Sequence, residues 1–375
     1  MRRVIYTTTL SLFLISVAVM ADDFFEQSYQ SNAESEKKLE TAYKNVNDIL
    51  NKKEISEKVT FSKTISKATK VTKPKIISSL DTSVYANNII ISKDGKIAFI
   101  ADSRSGLQIA DISNSEDAKI LKSLDTPGSA IDIVLSNNQN YLFIADKNSG
   151  LQIVDVQNPK DAKIIGSLET IDDAKSIALS SDNKFVFIAT ENSGVAIVDI
   201  RDKNKPKKLT SIRTKGYAEA VALSVDNRYA FIATGAFGLQ IVDIRDINNP
   251  QTIKTISTPG YAQGITVGAN KKAFIADGES GMQIVDFTNI YSARIISSYD
   301  TPSQAMNITV ATDQKTAYIA DYESGMQIVD ITNIHKPNLT HILDTKSYAK
   351  DIKLSKDGKT AYIADGWSGL VVANI

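Results

Sequence analysis

The 375-residue sequence has no cysteine. Disulfides, thiol nucleophiles, thiolate metal sites and an acyl-cysteine lipid anchor are therefore excluded. It has only two histidines, His335 in a connection and His341 in a strand-like segment. Neither has an evident Ser or Asp partner, which leaves triad-type nucleophilic chemistry without support. No phosphate-cradling glycine loop, zinc spacing or haem-attachment motif is present. Net charge is lacking too: 43 Lys+Arg balance 43 Asp+Glu. Such a chain has no overall electrostatic footprint for nucleic acid or an anionic membrane. Hydrophobic residues are not scarce; at 42% they suffice for a packed core.

The N-terminus reads as a secretory signal over residues 1–21. Arg2 and Arg3 precede a mainly apolar run from about Leu10 to Val19, and Val19 and Ala21 occupy the small-residue positions before a cleavage point at Asp22. The stretch from Val4 to Met20 is short for a bilayer span and is diluted by Tyr6 and three threonines. Residues 22–74 read as a tether. Ser31 and Glu34 fit a capping box, and Leu39, Ala42, Val46, Ile49 and Leu50 recur at helical spacing, which predicts one amphipathic helix over about 32–53. Six lysines from Lys58 to Lys75 then follow with no acidic residue between them, as in a solvated linker.

Self-similarity dominates the rest. SGLQIAD, ending at Asp111, returns as SGLQIVD, SGVAIVD, FGLQIVD, SGMQIVD, SGMQIVD and finally SGLVVAN, ending at Asn374. The glycines are Gly106, Gly150, Gly194, Gly238, Gly281, Gly325 and Gly369, spaced 44, 44, 44, 43, 44 and 44 residues apart. This period suits the blades of a propeller. Each period holds four strand-like segments: A after an alanine (Ala130 to Leu135), B an apolar run (Tyr141 to Ala145), C the LQIVD segment, and D (Lys163 to Leu168). The first D segment, about Lys75 to Leu80, precedes the first A, and the chain ends after a C. The predicted fold is all-β over residues 75–375: a seven-bladed β-propeller of four-stranded antiparallel blades, closed by the N-terminal D strand completing the last blade.

The repeats resemble the LVIVD-repeat family, named for the segment that stands here as LQIVD and MQIVD. The resemblance spans about residues 75–375, with the third and seventh copies departing as VAIVD and LVVAN. It implies a propeller fold and an exported or surface-associated protein, and implies no reaction.

Carboxylates recur at the ends of strand B (Asp102, Asp146, Asp277, Asp321, Asp365), strand C (Asp111, Asp155, Asp199, Asp243, Asp286, Asp330) and strand D (Asp81, Asp125, Glu169, Asp300, Asp344). Residues repeated in most blades belong to the scaffold, as acceptors in Asx-type turns. Function is sought where the blades differ. The D–A and B–C connections emerge on one face, because strands alternate in direction. There the D–A loops offer Tyr85, Tyr217, Tyr261 and Tyr348, and the B–C loops offer Phe237, Tyr322 and Trp367. These fall in blades 4, 5, 6, 7 and 1, a contiguous arc suited to contact with a protein or glycan, or to sealing neighbouring loops. Blades 2 and 3 present Ser129, Asp172, Asp173, Lys147 and Glu191 instead.

Strand A lies nearest the channel. Its third position, counted from the alanine, reads Asn88, Asp132, Ser176, Ala220, Gly264, Asn307 and Asp351. Asn307, Asp351, Asn88 and Asp132 form an arc at the channel mouth with the oxygen chemistry of a hard-cation site. Hydration of a wet mouth is the favoured account of them, and no metal, cofactor or catalytic residue is assigned. The expectation is an exported, non-enzymatic, monomeric propeller in the periplasm or at the cell surface. It would bind an envelope protein or glycan, with no nucleic-acid partner and no stable membrane insertion after signal cleavage. The alternatives are a carboxylate-dependent hydrolase or lyase at the channel mouth and a structural surface-layer component.

Overall fold

From its second residue onward, strand B of each repeat is buried on both faces, and it is almost wholly apolar there. The computed structural model describes residues 73–375. The expected signal and the expected helix over about 32–53 lie outside the described residues. In blade 1, Asn88–Ile91 (A), Ile97–Ala101 (B), Leu107–Asp111 (C) and Lys119–Leu124 (D) form an antiparallel sheet in that order. Five more blades repeat the pattern. The seventh joins Asp351–Leu354, Thr360–Ala364 and Leu370–Asn374 to Lys75–Leu80 from the other end of the propeller. Lys75 faces Asn374 and Leu80 faces Leu370 in antiparallel register. The fold is a seven-bladed β-propeller of four-stranded antiparallel blades, closed as the repeat count requires.

Two details differ from the sequence reading. In six blades strand A starts two residues after the alanine, as in Asp132–Leu135, because the alanine itself pairs with the neighbouring blade. Single 3-10 turns at Pro159–Asp161 and Ile290–Ser292 occupy two C–D connections, each begun by an asparagine whose side chain accepts a backbone N–H.

The core is divided into seven apolar clusters, one between each pair of adjacent blades. Strand B supplies both sides by its period of two. Phe99 and Ala101 pack toward blade 2, while Ala98 and Ile100 pack toward blade 7. Phe143, Phe187, Phe231 and Phe274 recur at the same position, fully buried. Each such ring contributes roughly 1.5–3 kcal/mol of burial. A blade by itself would expose both faces, so the core forms as each blade packs on its neighbours, and closure covers the last two faces.

The repeated glycine before strand C is required by geometry. All seven copies have positive φ, from 65° at Gly281 to 78° at Gly238. A Cβ on Gly150 would lie 2.4 Å from the Leu168 carbonyl oxygen, so the site excludes a side chain sterically as well as conformationally.

Candidate functional site

The D–A and B–C loops share one face and are bound to each other around the ring. At every junction the alanine N–H donates to a carbonyl in the B–C loop of the preceding blade: Ala130 to Ser103 at 2.9 Å, Ala174 to Lys147 at 2.9 Å, Ala218 to Glu191 at 3.0 Å, Ala262 to Gly235 at 3.1 Å. Ala305 to Gly278, Ala349 to Tyr322 and Ala86 to Gly366 complete a hoop of seven. The side chains displayed there stand on hydrogen-bonded backbone and not on free loops.

The repeated carboxylates anchor this face. At the end of strand B, Asp146 accepts from Thr126 Oγ1 at 2.7 Å and from the Gly128 N–H at 2.9 Å, both in the incoming D–A loop. This contact spans 18–20 residues and is not the local Asx turn expected from sequence. The carboxylates ending strand C do form that turn, as where Asp111 accepts the Ser113 N–H at 2.9 Å. Those ending strand D are exposed, and Asp81 forms such a turn with the Ser83 N–H. The glutamine of LQIVD, given no role by the sequence, braces the B–C loop: Gln108, Gln152, Gln283 and Gln327 each donate to the carbonyl three residues back.

The seven aromatic residues gather into two groups. In blades 6, 7 and 1, Tyr322 stacks on Tyr348 with centroids 4.4 Å apart and planes 14° apart, Tyr348 lies 6.4 Å from Tyr85, and Tyr85 meets Trp367 edge-on at 5.0 Å. The three tyrosines are half-buried by this packing, while Trp367 remains 65% exposed. Around blades 4 and 5, Tyr217 (49% exposed), Phe237 (48%) and Tyr261 (39%) line a cleft of about 310 Å³ with Asn192 and Lys215. Tyr261 donates to Glu219 Oε1 at 2.7 Å. On blades 2 and 3 the charges pair across the loops, Lys147 with Asp173 at 3.7 Å and Lys175 with Glu191 at 3.5 Å.

The channel-mouth arc turns its oxygens toward the protein. Asp351, 1% exposed, accepts the Ile89 N–H of blade 1 at 3.2 Å, the Asn307 amide at 2.8 Å and the Lys353 ammonium at 2.7 Å. Asp132 accepts its own neighbour's N–H, from Ile133, and the Ile177 N–H of blade 3 at 2.9 Å. Asn88 lies beside them with a buried amide oxygen that has no hydrogen-bond partner. These side chains clasp adjacent inner strands. Burial pushes the Asp132 carboxyl up to about 6. Among the described residues no cluster of three or more His, Asp or Glu side chains is placed to hold a metal ion.

The residue just ahead of this arc forms a ring that the sequence analysis passed over: Asn87, Ile131, Lys175, Glu219, Gln263, Met306 and Lys350. All seven line one cavity of about 540 Å³ at the channel mouth. Lys350 Nζ sits 5.4 Å from the Tyr322 ring centroid. Burial, with the charge of Lys175 adding to it, brings the Lys350 ammonium down to about 8. Tyr322 is held at φ 42°, a left-handed conformation where the corresponding residues of blades 4, 5 and 7 are Gly235, Gly278 and Gly366. A bulky residue in that region is strained. The available signal was the run of different residues at one repeat position, legible once the repeats are aligned by their alanines.

A protein-family model described as the LVIVD repeat matches seven times, over residues 85–126, 127–170, 172–214, 215–258, 259–301, 304–345 and 346–375. The chain belongs to the LVIVD-repeat family. Solved structures with a similar fold include the structure of U3-55K (TM-score 0.67, 9% identity, covering 81% of this chain and 98% of that one). The RRP9 WD40 repeats are similar at TM-score 0.65 and 10% identity, covering 80% of this chain and 96% of that one. The Pseudomonas aeruginosa periplasmic gluconolactonase PpgL is similar at TM-score 0.63 and 14% identity, covering 76% and 89%. At these identities the LVIVD-repeat propeller shares their fold alone. No curated protein sequence matches it.

Proposed function

We propose that this LVIVD-repeat chain is an exported, non-enzymatic scaffold that binds a macromolecular partner of the cell envelope through its D–A/B–C face. The observation that carries the reading is the exposure of Tyr217, Phe237, Tyr261 and Trp367 on one face whose backbone is tied into a hoop. Large aromatics on rigid backbone supply contact area with little ordering entropy to lose, the character of binding hot spots. Export is supported by the signal-like pattern at residues 1–21 and agrees with the lack of cysteine. The carboxylate-enzyme alternative needs a pair of acid–base groups at the mouth. Asp351 weighs against it, since both of its oxygens accept hydrogen bonds from Ile89, Asn307 and Lys353.

The test is crosslinking with mass spectrometry in the native cell envelope, comparing wild type with a Tyr217→Ala, Phe237→Ala, Trp367→Ala variant. Loss of a specific crosslinked partner in a variant that melts like wild type supports the reading. Retention of the same partner rejects this face. Self-assembly of the purified protein in place of partner crosslinks would instead favour the surface-layer alternative.

A further inference from the structure

Two lysines reach into the channel mouth from opposite sides of the ring, Lys350 from blade 7 and Lys175 from blade 3, three blades apart. They share one cavity of about 540 Å³, within the size range of small-ligand sites. The other charged groups around Lys350 are accounted for. Lys175 pairs with Glu191, Lys147 with Asp173 and Lys353 with Asp351. Glu219 accepts the Tyr261 hydroxyl, and Asp132 accepts two backbone N–H groups. Among the described residues, Lys350 has no acidic partner. It lies against the face of Tyr322, a ring kept in place by the left-handed backbone and by its stack on Tyr348.

Two more observations bear on what would fill this space. The mouth presents the Gln263 amide, which suits a hydroxyl group. A single uncompensated ammonium, with no arginine lining the cavity, matches a monoanion better than a phosphate dianion.

We infer that the channel mouth is a binding site for a small hydroxylated carboxylate of sugar-acid type, its carboxylate held by Lys350 and a hydroxyl set against the Gln263 amide. Tyr322 is the positioning residue for Lys350. The site is separate from the exposed rim residues Tyr217, Phe237 and Trp367, so either conclusion can fail without the other.

The probe is D-glucuronate, with glucose, acetate and inorganic phosphate as controls, titrated calorimetrically into the purified protein. Glucuronate binds, while glucose, which lacks the charge, and acetate, which lacks the hydroxyls, bind at least about tenfold more weakly. Lys350→Met loses about tenfold or more of the glucuronate affinity. Binding an anion favours the charged lysine, so affinity falls by about tenfold per pH unit above pH ~8. Wild-type protein supplies a readout that needs no substitution: glucuronate slows acetylation of Lys350 by an activated ester, measured on peptides by mass spectrometry. Absence of both glucuronate binding and Lys350 protection overturns the inference. So does equal affinity in Lys350→Met, or phosphate binding more tightly than glucuronate.

Discussion

Thr126 Oγ1 donates to Asp146 Oδ1 at 2.7 Å, with both residues buried, and so ties the incoming D–A loop to the end of strand B. The same pair recurs as Thr82 with Asp102, Thr258 with Asp277 and Thr345 with Asp365. In blades 3 and 4 the carboxylate is replaced by Thr190 and Thr234, which bond instead to the carbonyls of Gly194 and Gly238. The junction has two chemical solutions, and only the carboxylate version titrates.

That difference predicts an unusual stability profile. Burial pushes Asp102, Asp321 and Asp365 up to about 6, and raises Asp146 and Asp277 as well. The folded state therefore holds protons that the unfolded chain, with carboxylates near ~4, releases. This contribution is complete below pH ~4 and is lost as pH rises through about 6. The exposed turn carboxylates act oppositely: hydrogen bonds from Thr288 hold Asp286 down to about 2, and Asp111 and Asp330 are lowered by the turns that follow them. Their contribution is present above pH ~4 and lost below it. The thermal midpoint should rise between pH 7.5 and 5.5, by about 2–4 °C for each kcal/mol gained, and fall below pH ~4. Calorimetry across this range checks it, and a midpoint that drops steadily from pH 7.5 would contradict it.

Two glycine substitutions separate conformation from crowding. Gly95 has φ 72° and open space where a Cβ would stand, so Gly95→Ala should cost only the left-handed penalty, about 1 kcal/mol. Gly150 has nearly the same φ, but its Cβ would meet the Leu168 carbonyl oxygen at 2.4 Å. Gly150→Ala should cost about 3 kcal/mol or more. Urea unfolding of both variants measures the difference, which isolates the steric part.

Tyr322→Gly is expected to leave stability within about 1 kcal/mol of wild type. Relief of the left-handed backbone, roughly 1–2 kcal/mol, offsets loss of the Tyr348 stack, roughly 0.5–1.5 kcal/mol. The same variant should move the Lys350 acetylation rate, because the ring beneath its ammonium is gone. A destabilisation of about 3 kcal/mol with unchanged Lys350 reactivity would make Tyr322 a scaffold residue only.

Removing Lys75–Leu80 should yield an aggregating species. The deletion leaves the Leu370–Asn374 strand with an unpaired edge and, by removing Ile76, Ile77 and Leu80, uncovers the two clusters flanking blade 7 on which they pack. Size-exclusion chromatography of the deleted chain against one beginning at Lys73 is the measurement. A monomeric deleted chain with a single sharp transition would show that the other six blades suffice.

Blade number, strand order and closure were legible because they rest on spacing: a glycine every 43 or 44 residues and a D segment displaced to the front. The placement of the seven aromatics on one face was legible for the same reason. Their division into a half-buried group around Tyr348 and an open cleft around Phe237 was not, since stacking depends on side-chain torsions that no repeat position encodes. Asp132 and Asp351 looked available as ligands because one strand does not reveal that its neighbour's N–H groups need acceptors. Lys350 escaped notice because its character comes from Tyr322 and Lys175, two other blades that sequence distance does not join.

Among the described strands, the one that closes the ring comes before all the others in the chain and its partner comes after them. While the chain is being synthesised, Lys75–Leu80 has no Leu370–Asn374 to pair with, and six blades can assemble before the circle is complete. Completion therefore waits for the last strand of the propeller, joining its two ends over the longest sequence separation among the described strands. It sets a late, slow step in folding and a window in which an open edge is exposed to other chains.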